Sequence, residues 1–121
     1  MYEKLVPFLN NEDEVLFIND GSTDTTVNEI KSLIEKDRRL KLINFSRNFG
    51  HQPAITAGLK HSGGDVVIVM DCDLQDPPEL IPELLKKWKG GYDVVHCIRK
   101  KRKESLFKRV SYKLFYWLYT R

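Results

Sequence analysis

The sequence predicts an α/β fold with a mainly parallel sheet and flanking helices, and three observations predict it. Short apolar runs alternate with segments of helical periodicity, in the order strand, helix, strand, helix, strand, helix, strand. The run Val66, Val67, Ile68, Val69, Met70 is apolar throughout and lies between turn signals, the pattern of a strand buried on both faces of a parallel sheet. Acidic residues stand just past predicted strands, at Asp20 and Asp71. In open parallel sheets that edge is where ligands bind.

The elements follow in order. Residues 1–9 read as the end of a helix, with Leu5, Val6 and Phe8 apolar, and residues 10–13 as a polar break. Residues 15–18 form a short buried strand that ends in the turn and N-cap cluster of residues 19–24. A helix follows to about Lys36, with Val27, Ile30, Leu33 and Ile34 at helical spacing on one face. Residues 40–45 are the next strand, and residues 46–50 a loop into a helix over 52–61. Pro53 suits the first turn of that helix, and Gly58 permits close packing on the sheet. The strand over 66–70 comes next, introduced by Gly63, Gly64 and Asp65. Pro77 and Pro78 open a third helical region, where Asp76 and Glu79 have the spacing of a capping box. Ile81, Leu84, Leu85 and Trp88 supply its apolar face, Pro82 marks a kink or restart, and Gly90 and Gly91 end it. Residues 92–98 read as a fourth strand and residues 104–120 as a last helix.

At 121 residues, 41% hydrophobic and 31% charged, the chain has the size and composition of one folded domain with a modest core. The net charge of +3 is unevenly spread. Residues 99–121 hold nine bases and one acid, which leaves eleven bases and sixteen acids, a net of −5, before them. A basic tail on an acidic body suits a contact with phosphate, nucleic acid or an anionic membrane. Cys72 and Cys97 fall inside predicted strands, far apart in sequence, and read as small core hydrophobes of a reducing compartment. No secretory leader is recognised, and no apolar run approaches the roughly 20 residues of a membrane span.

The stretch Asp71, Cys72, Asp73, Leu74, Gln75, Asp76, Pro77, Pro78, Glu79 carries the most chemistry. In extended chain, residues two apart point the same way, so Asp71, Asp73 and Gln75 can converge. Hard oxygen ligands at a strand's carboxyl end suit Mg²⁺ or Mn²⁺ held jointly with substrate phosphates. A solvated acidic loop is the plainer alternative for such a short motif.

Other pieces join it: residues 17–26 (Phe17 and Ile18 through Asn19, Asp20, Gly21, Ser22, Thr23 and Asp24 to Thr25 and Thr26), residues 44–52 with Arg47, Asn48, Phe49, Gly50, His51 and Gln52, then Ala57 and Gly58, and residues 91–95. Each is weak alone. In this order and spacing the chain resembles family 2 glycosyltransferases of the GT-A fold, a Rossmann-like architecture. More narrowly it is similar to the polyprenyl-phosphate branch, with dolichol-phosphate mannose synthase and bactoprenol-phosphate glucosyltransferase. The likeness covers nearly the whole chain.

The resemblance implies a transferase that moves a hexose from a nucleotide sugar, UDP- or GDP-linked, to a polyprenyl phosphate (dolichyl or undecaprenyl). Residues 1–98 would be a partial nucleotide-sugar-binding core, and residues 99–121 a basic, amphipathic segment on the acceptor and membrane side. It implies donor contacts at Asp20, Arg47 and Asp71, and a Mg²⁺ or Mn²⁺ site at Asp71, Asp73 and Gln75. Asp73, Arg99 and Arg109 would serve catalysis, the two arginines at the acceptor phosphate. A phosphate acceptor is already nucleophilic at neutral pH, so charge positioning matters more than a strong base. Plainer roles stand beside these: an N-cap for Asp20, a surface ion pair for Arg47, a cap or packing role for His51, a solvated basic run for Arg99 and Arg109.

In residues 104–120, Leu106, Phe107, Val110, Leu114, Trp117 and Leu118 share one face, and Tyr112, Tyr116, Tyr119, Lys108 and Arg109 the other. Such a helix can lie in a bilayer interface, or its apolar face can pack on the sheet; the first is expected, and the resemblance implies the cytoplasmic face of a membrane for the intact protein. The partners expected are donor, polyprenyl phosphate and membrane, with homo-oligomerisation open and no nucleic-acid module apparent. The pattern departs from the family at the start, where the first central strand and its motif are missing, and at the end. A truncated piece, inactive alone, is therefore expected. Competing readings are a non-catalytic nucleotide-binding module and a family 2 transferase with a soluble or polysaccharide acceptor.

Overall fold

A computed structural model describes residues 1–73 and 75–98. It is a mixed α/β arrangement around a two-stranded parallel sheet. In chain order the elements are α1 (Tyr2–Leu5) with a 3₁₀ turn (Val6–Phe8), β1 (Val15–Asn19), α2 (Thr26–Ile34), β2 (Leu40–Asn44), α3 (His51–His61), a second 3₁₀ turn (Pro78–Leu80) and α4 (Ile81–Lys89).

The apolar residues of β1 and β2 put the strands side by side in register, from Val15 opposite Leu40 to Asn19 opposite Asn44. Their shared direction requires the α2 crossover. Helix α2 returns along β2, and α3 packs on β1. Gly58 of α3 faces Ile18, whose side-chain carbons lie 3.6 and 3.7 Å from where a Cβ would stand. A methyl group there would make ordinary contact, so the packing expected of Gly58 is close but not at its limit. Among the described residues the buried apolar set is small: Leu5, Leu40, Ile81 and the fully buried Pro78.

The amino edge of the sheet is tied by charge. Arg39 donates from Nη2 to Asp37 Oδ2 at 2.7 Å and from Nη1 to the Leu9 carbonyl at 3.2 Å, while the Tyr2 hydroxyl donates to Asp37 Oδ2 at 2.8 Å. Hydrogen bonds from Arg39, then from Tyr2, hold the Asp37 carboxyl well below the usual carboxylate range. The same bond to Asp37 pushes the Tyr2 hydroxyl up. Glu14 pairs with Lys41 at 2.6 Å and accepts the Gly63 N–H at 2.6 Å.

Two strand expectations are corrected. Residues 66–70 form no ladder with β1 or β2, the two strands of the sheet among the described residues. Their burial alternates: Val66, Ile68 and Met70 are half-buried, while Val67 and Val69 are exposed, so one face is covered rather than two. Residues 92–98 are likewise unpaired, and Tyr92, Val94, Val95 and Ile98 are exposed. Apolar sequence favours a strand only where a neighbour supplies hydrogen bonds. Cys72 and Cys97 are consequently exposed rather than core residues. Pro82 stands at the start of α4, so the chain restarts there, as a proline at the first turn allows. No side-chain cap is formed at that start; the Asp76 carboxylate instead accepts the Asp71 N–H at 3.2 Å. Among the described residues no helix is long and apolar enough to cross a membrane.

Candidate functional site

Both strands end in the same dipeptide, Ile18-Asn19 and Ile43-Asn44, at matching register. Asn19 is buried, and its Nδ2 donates to Asn44 Oδ1 at 2.7 Å. One step on, the Phe45 N–H donates to the Asn19 carbonyl at 2.9 Å. The carboxyl ends of β1 and β2 are thus fastened by backbone and side chain together. Both loops that leave them start from a fixed base.

The two loops then meet. Asp20 is half-buried, and its Oδ1 accepts the Phe49 N–H at 2.7 Å while its Oδ2 accepts the Gly50 N–H at 2.9 Å. Gly21 has φ +73°, and a Cβ built on it would lie 2.4 Å from the Arg47 carbonyl carbon and 2.5 Å from the Asn48 nitrogen. Only glycine allows that approach. Gly50, with φ +97°, turns the chain into α3. Asp24 lies two residues before α2, where the Thr26 hydroxyl and N–H hold its carboxyl below the usual range.

On the outer side of this clasp the Arg47 guanidinium lies 4.7 Å from the Phe49 ring centroid. The Phe45 ring meets Phe49 edge-on, centroids 5.5 Å apart at 85°. Arg47 is exposed, and no ion pair to it occurs among the described residues. His51, the first residue of α3, is exposed too.

Cys72 and Asp73 lie in a turn and Gln75 and Asp76 in a bend, with local bonds in place of extended chain. Asp71 and Asp73 are exposed, and Asp73 Oδ1 accepts the Gln75 N–H at 2.9 Å. The extended geometry expected to converge Asp71, Asp73 and Gln75 is therefore replaced by a turn, which Asp73 itself stabilises. Among the described residues no group of three or more His, Cys, Asp or Glu could hold a metal ion without help. Two exposed carboxylates and an amide within five residues do fit a Mg²⁺ or Mn²⁺ site completed by substrate phosphates, since Mg²⁺ commonly takes one or two carboxylates and leaves the rest to phosphate and water.

The structure thus brings Asp20 and Arg47 into one clasp and places Asp71 and Asp73 at and beside a separate turn. Arg99, Arg109, the whole segment 99–121 and its amphipathic face lie outside the described residues. Sequence reasoning gave Asn19, Gly21 and Asn44 only as turn residues or members of a motif and assigned them no role in joining the loops; the repeated Ile-Asn at both strand ends was the available signal. A polar groove of about 920 Å³ opens elsewhere, at the amino edge, lined by Tyr2, Asp13, Glu14, Asp37, Arg39 and Lys41. Two charge pairs line it, Arg39 with Asp37 and Lys41 with Glu14, and the Tyr2 hydroxyl on Asp37 ties α1 to the sheet there.

Comparison with known proteins bears on the same residues. The profile described as "Glycosyl transferase family 2" matches residues 3–121. The chain is 52% identical over 106 residues to the uncharacterized glycosyltransferase YkcC of Bacillus subtilis (strain 168), covering 87% of this chain and 33% of that protein. It is 44% identical over 121 residues to the bactoprenol glucosyl transferase of Shigella phage SfX, covering 99% of this chain and 39% of that protein. A match to the uncharacterized glycosyltransferase sll0501 of Synechocystis sp. has 44% identity over 104 residues, 85% of this chain and 33% of that protein. The chain spans between 33% and 39% of the length of these curated relatives.

Proposed function

Because the chain belongs to glycosyl transferase family 2, we propose that it is the donor-binding core of a transferase that moves a hexose from a UDP- or GDP-linked donor to a polyprenyl phosphate. The carrying observation is the clasp at the carboxyl ends of β1 and β2, which presents an exposed Arg47 where a parallel sheet receives its ligand. The 44% identity to a bactoprenol glucosyl transferase over 121 residues supports a polyprenyl acceptor.

In this reading an acceptor phosphate oxygen forms a bond to C1 of the sugar, and the bond from C1 to the nucleoside diphosphate breaks. Arg47 pairs with the diphosphate as negative charge builds on it. Asp20 holds the loop and lies beside the nucleoside. Asp71, Asp73 and Gln75 hold Mg²⁺ or Mn²⁺, which when bound offsets charge on the diphosphate. Arg99 and Arg109 bind the acceptor phosphate, and residues 100–121 meet the cytoplasmic face of a membrane. The 121-residue chain alone binds donor without turnover, since among the described residues no strand pairs with 66–70 or 92–98.

Incubation with radiolabelled UDP-glucose or GDP-mannose, Mn²⁺ and undecaprenyl phosphate tests the reading. Full-length protein should give label extractable with the lipid. Donor binding with no transfer to any lipid phosphate, even full-length, would favour a non-catalytic module; transfer to soluble glycans alone would favour the third reading.

A further inference from the structure

We propose that Phe49 is a positioning residue for donor binding, setting the direction of the Arg47 guanidinium; this rests on the donor role of Arg47 proposed above. Phe49 is a large apolar side chain left 48% exposed at the sheet edge. Burial therefore does not account for its place in the loop. It is nonetheless fixed at both ends: its N–H is held by Asp20 Oδ1 at 2.7 Å, and its ring is met edge-on by Phe45. Arg47 has the opposite character. It is exposed, long and without an ion pair among the described residues, and its Cζ lies 4.7 Å from the Phe49 centroid.

A guanidinium over a ring face is drawn to the ring's negative quadrupole. Stacking occupies the flat face of the guanidinium and leaves its N–H edge, the edge that meets phosphate oxygens in pairs. A side chain already restricted by a ring loses less rotamer freedom when an anion arrives. The order of support runs from Asp20 to the Phe49 backbone, from Phe49 to Arg47, and from Arg47 to the diphosphate.

The test has two arms. In the NMR spectrum of the chain, the Arg47 side-chain protons should be shifted upfield by the ring, a shift lost in Phe49→Leu and kept in Phe49→Tyr. In titrations with UDP-glucose, and in parallel GDP-mannose, each with Mn²⁺, Phe49→Leu should weaken binding about 2- to 5-fold, the range an exposed cation–π contact supports. Phe49→Tyr should restore it, and Phe49→Leu should add nothing in an Arg47→Ala background. An equal loss in both backgrounds, or no loss in either, overturns the inference, as does an Arg47 spectrum unaffected by Phe49→Leu. If Arg47→Ala leaves donor binding unchanged, or the wild type binds neither nucleotide sugar, the donor role of Arg47 fails first and this inference with it.

Discussion

Asp20 holds Gly50 as well as the residue before it: the carboxylate accepts the Gly50 N–H through Oδ2 at 2.9 Å while Oδ1 takes Phe49. One side chain from the end of β1 thereby fixes the loop that follows β2. The carboxyl edge of the sheet behaves as a joined pair of loops, and several outcomes depend on that.

Gly21→Ala should destabilise the protein more than Gly50→Ala. Both glycines have positive φ, and such conformations cost an L-residue about 1–3 kcal/mol. At Gly50 no other atom lies within 4 Å of the added Cβ, whereas at Gly21 the Arg47 backbone lies at 2.4 Å and must move. Urea unfolding should place Gly21→Ala at least about 1 kcal/mol below Gly50→Ala. Equal losses would mean the loops are not in contact at Gly21.

Asn44→Leu should cost about 1–3 kcal/mol, because it leaves the buried Asn19 amide without its acceptor. Asn19→Leu with Asn44→Leu should cost less than the two single changes summed. A strictly additive double-mutant cycle would show the pair to be uncoupled.

Acid should loosen the amino edge. The folded-state pKa of Asp37 is depressed by Arg39, so its stabilisation is complete above the unfolded value, about 3.9, and is lost as pH falls through the folded one. Stability measured between about pH 5 and pH 2 should fall less steeply in Asp37→Asn than in wild type. Parallel curves would remove Asp37 from the account.

At the expected metal site, Asp73→Asn separates charge from shape. An amide oxygen can still accept the Gln75 N–H and keep the turn, but a neutral side chain is a poor ligand for Mg²⁺. Mn²⁺-dependent binding of UDP-glucose should drop about tenfold or more in this variant, with an unchanged circular dichroism spectrum. Full-strength binding would point to the solvated acidic turn instead.

Residues 100–121 should carry the protein to anionic vesicles, less so at high salt, since each Lys or Arg near such a surface contributes roughly 1 kcal/mol. Flotation should be lost in Leu114→Asp with Trp117→Asp. If neither protein floats at low salt, the membrane contact is absent.

The parts that could be read from sequence were those set by local chemistry. β1, β2, α2 and α3 were all legible, because an apolar run, a turn cluster and helical spacing coincide there. Residues 66–70 and 92–98 were misread for the opposite reason. Val66 to Met70 have strand-like composition, but pairing is a property of two segments, and sequence names only one. The turn at Asp73 was missed because its carboxylate serves the backbone two residues on, which competes with the extended geometry a D-x-D spacing suggests. The Asn19–Asn44 bond was hidden because asparagine at a strand end reads as a turn residue.

The alternating exposure of residues 66–70 has a consequence for handling the protein. With Val67 and Val69 open and no ladder formed, this stretch is a template onto which another chain's backbone can add. Turbidity of the 121-residue chain should therefore rise with concentration, and a lysine substituted at Val69 should delay its onset without altering the clasp between the loops.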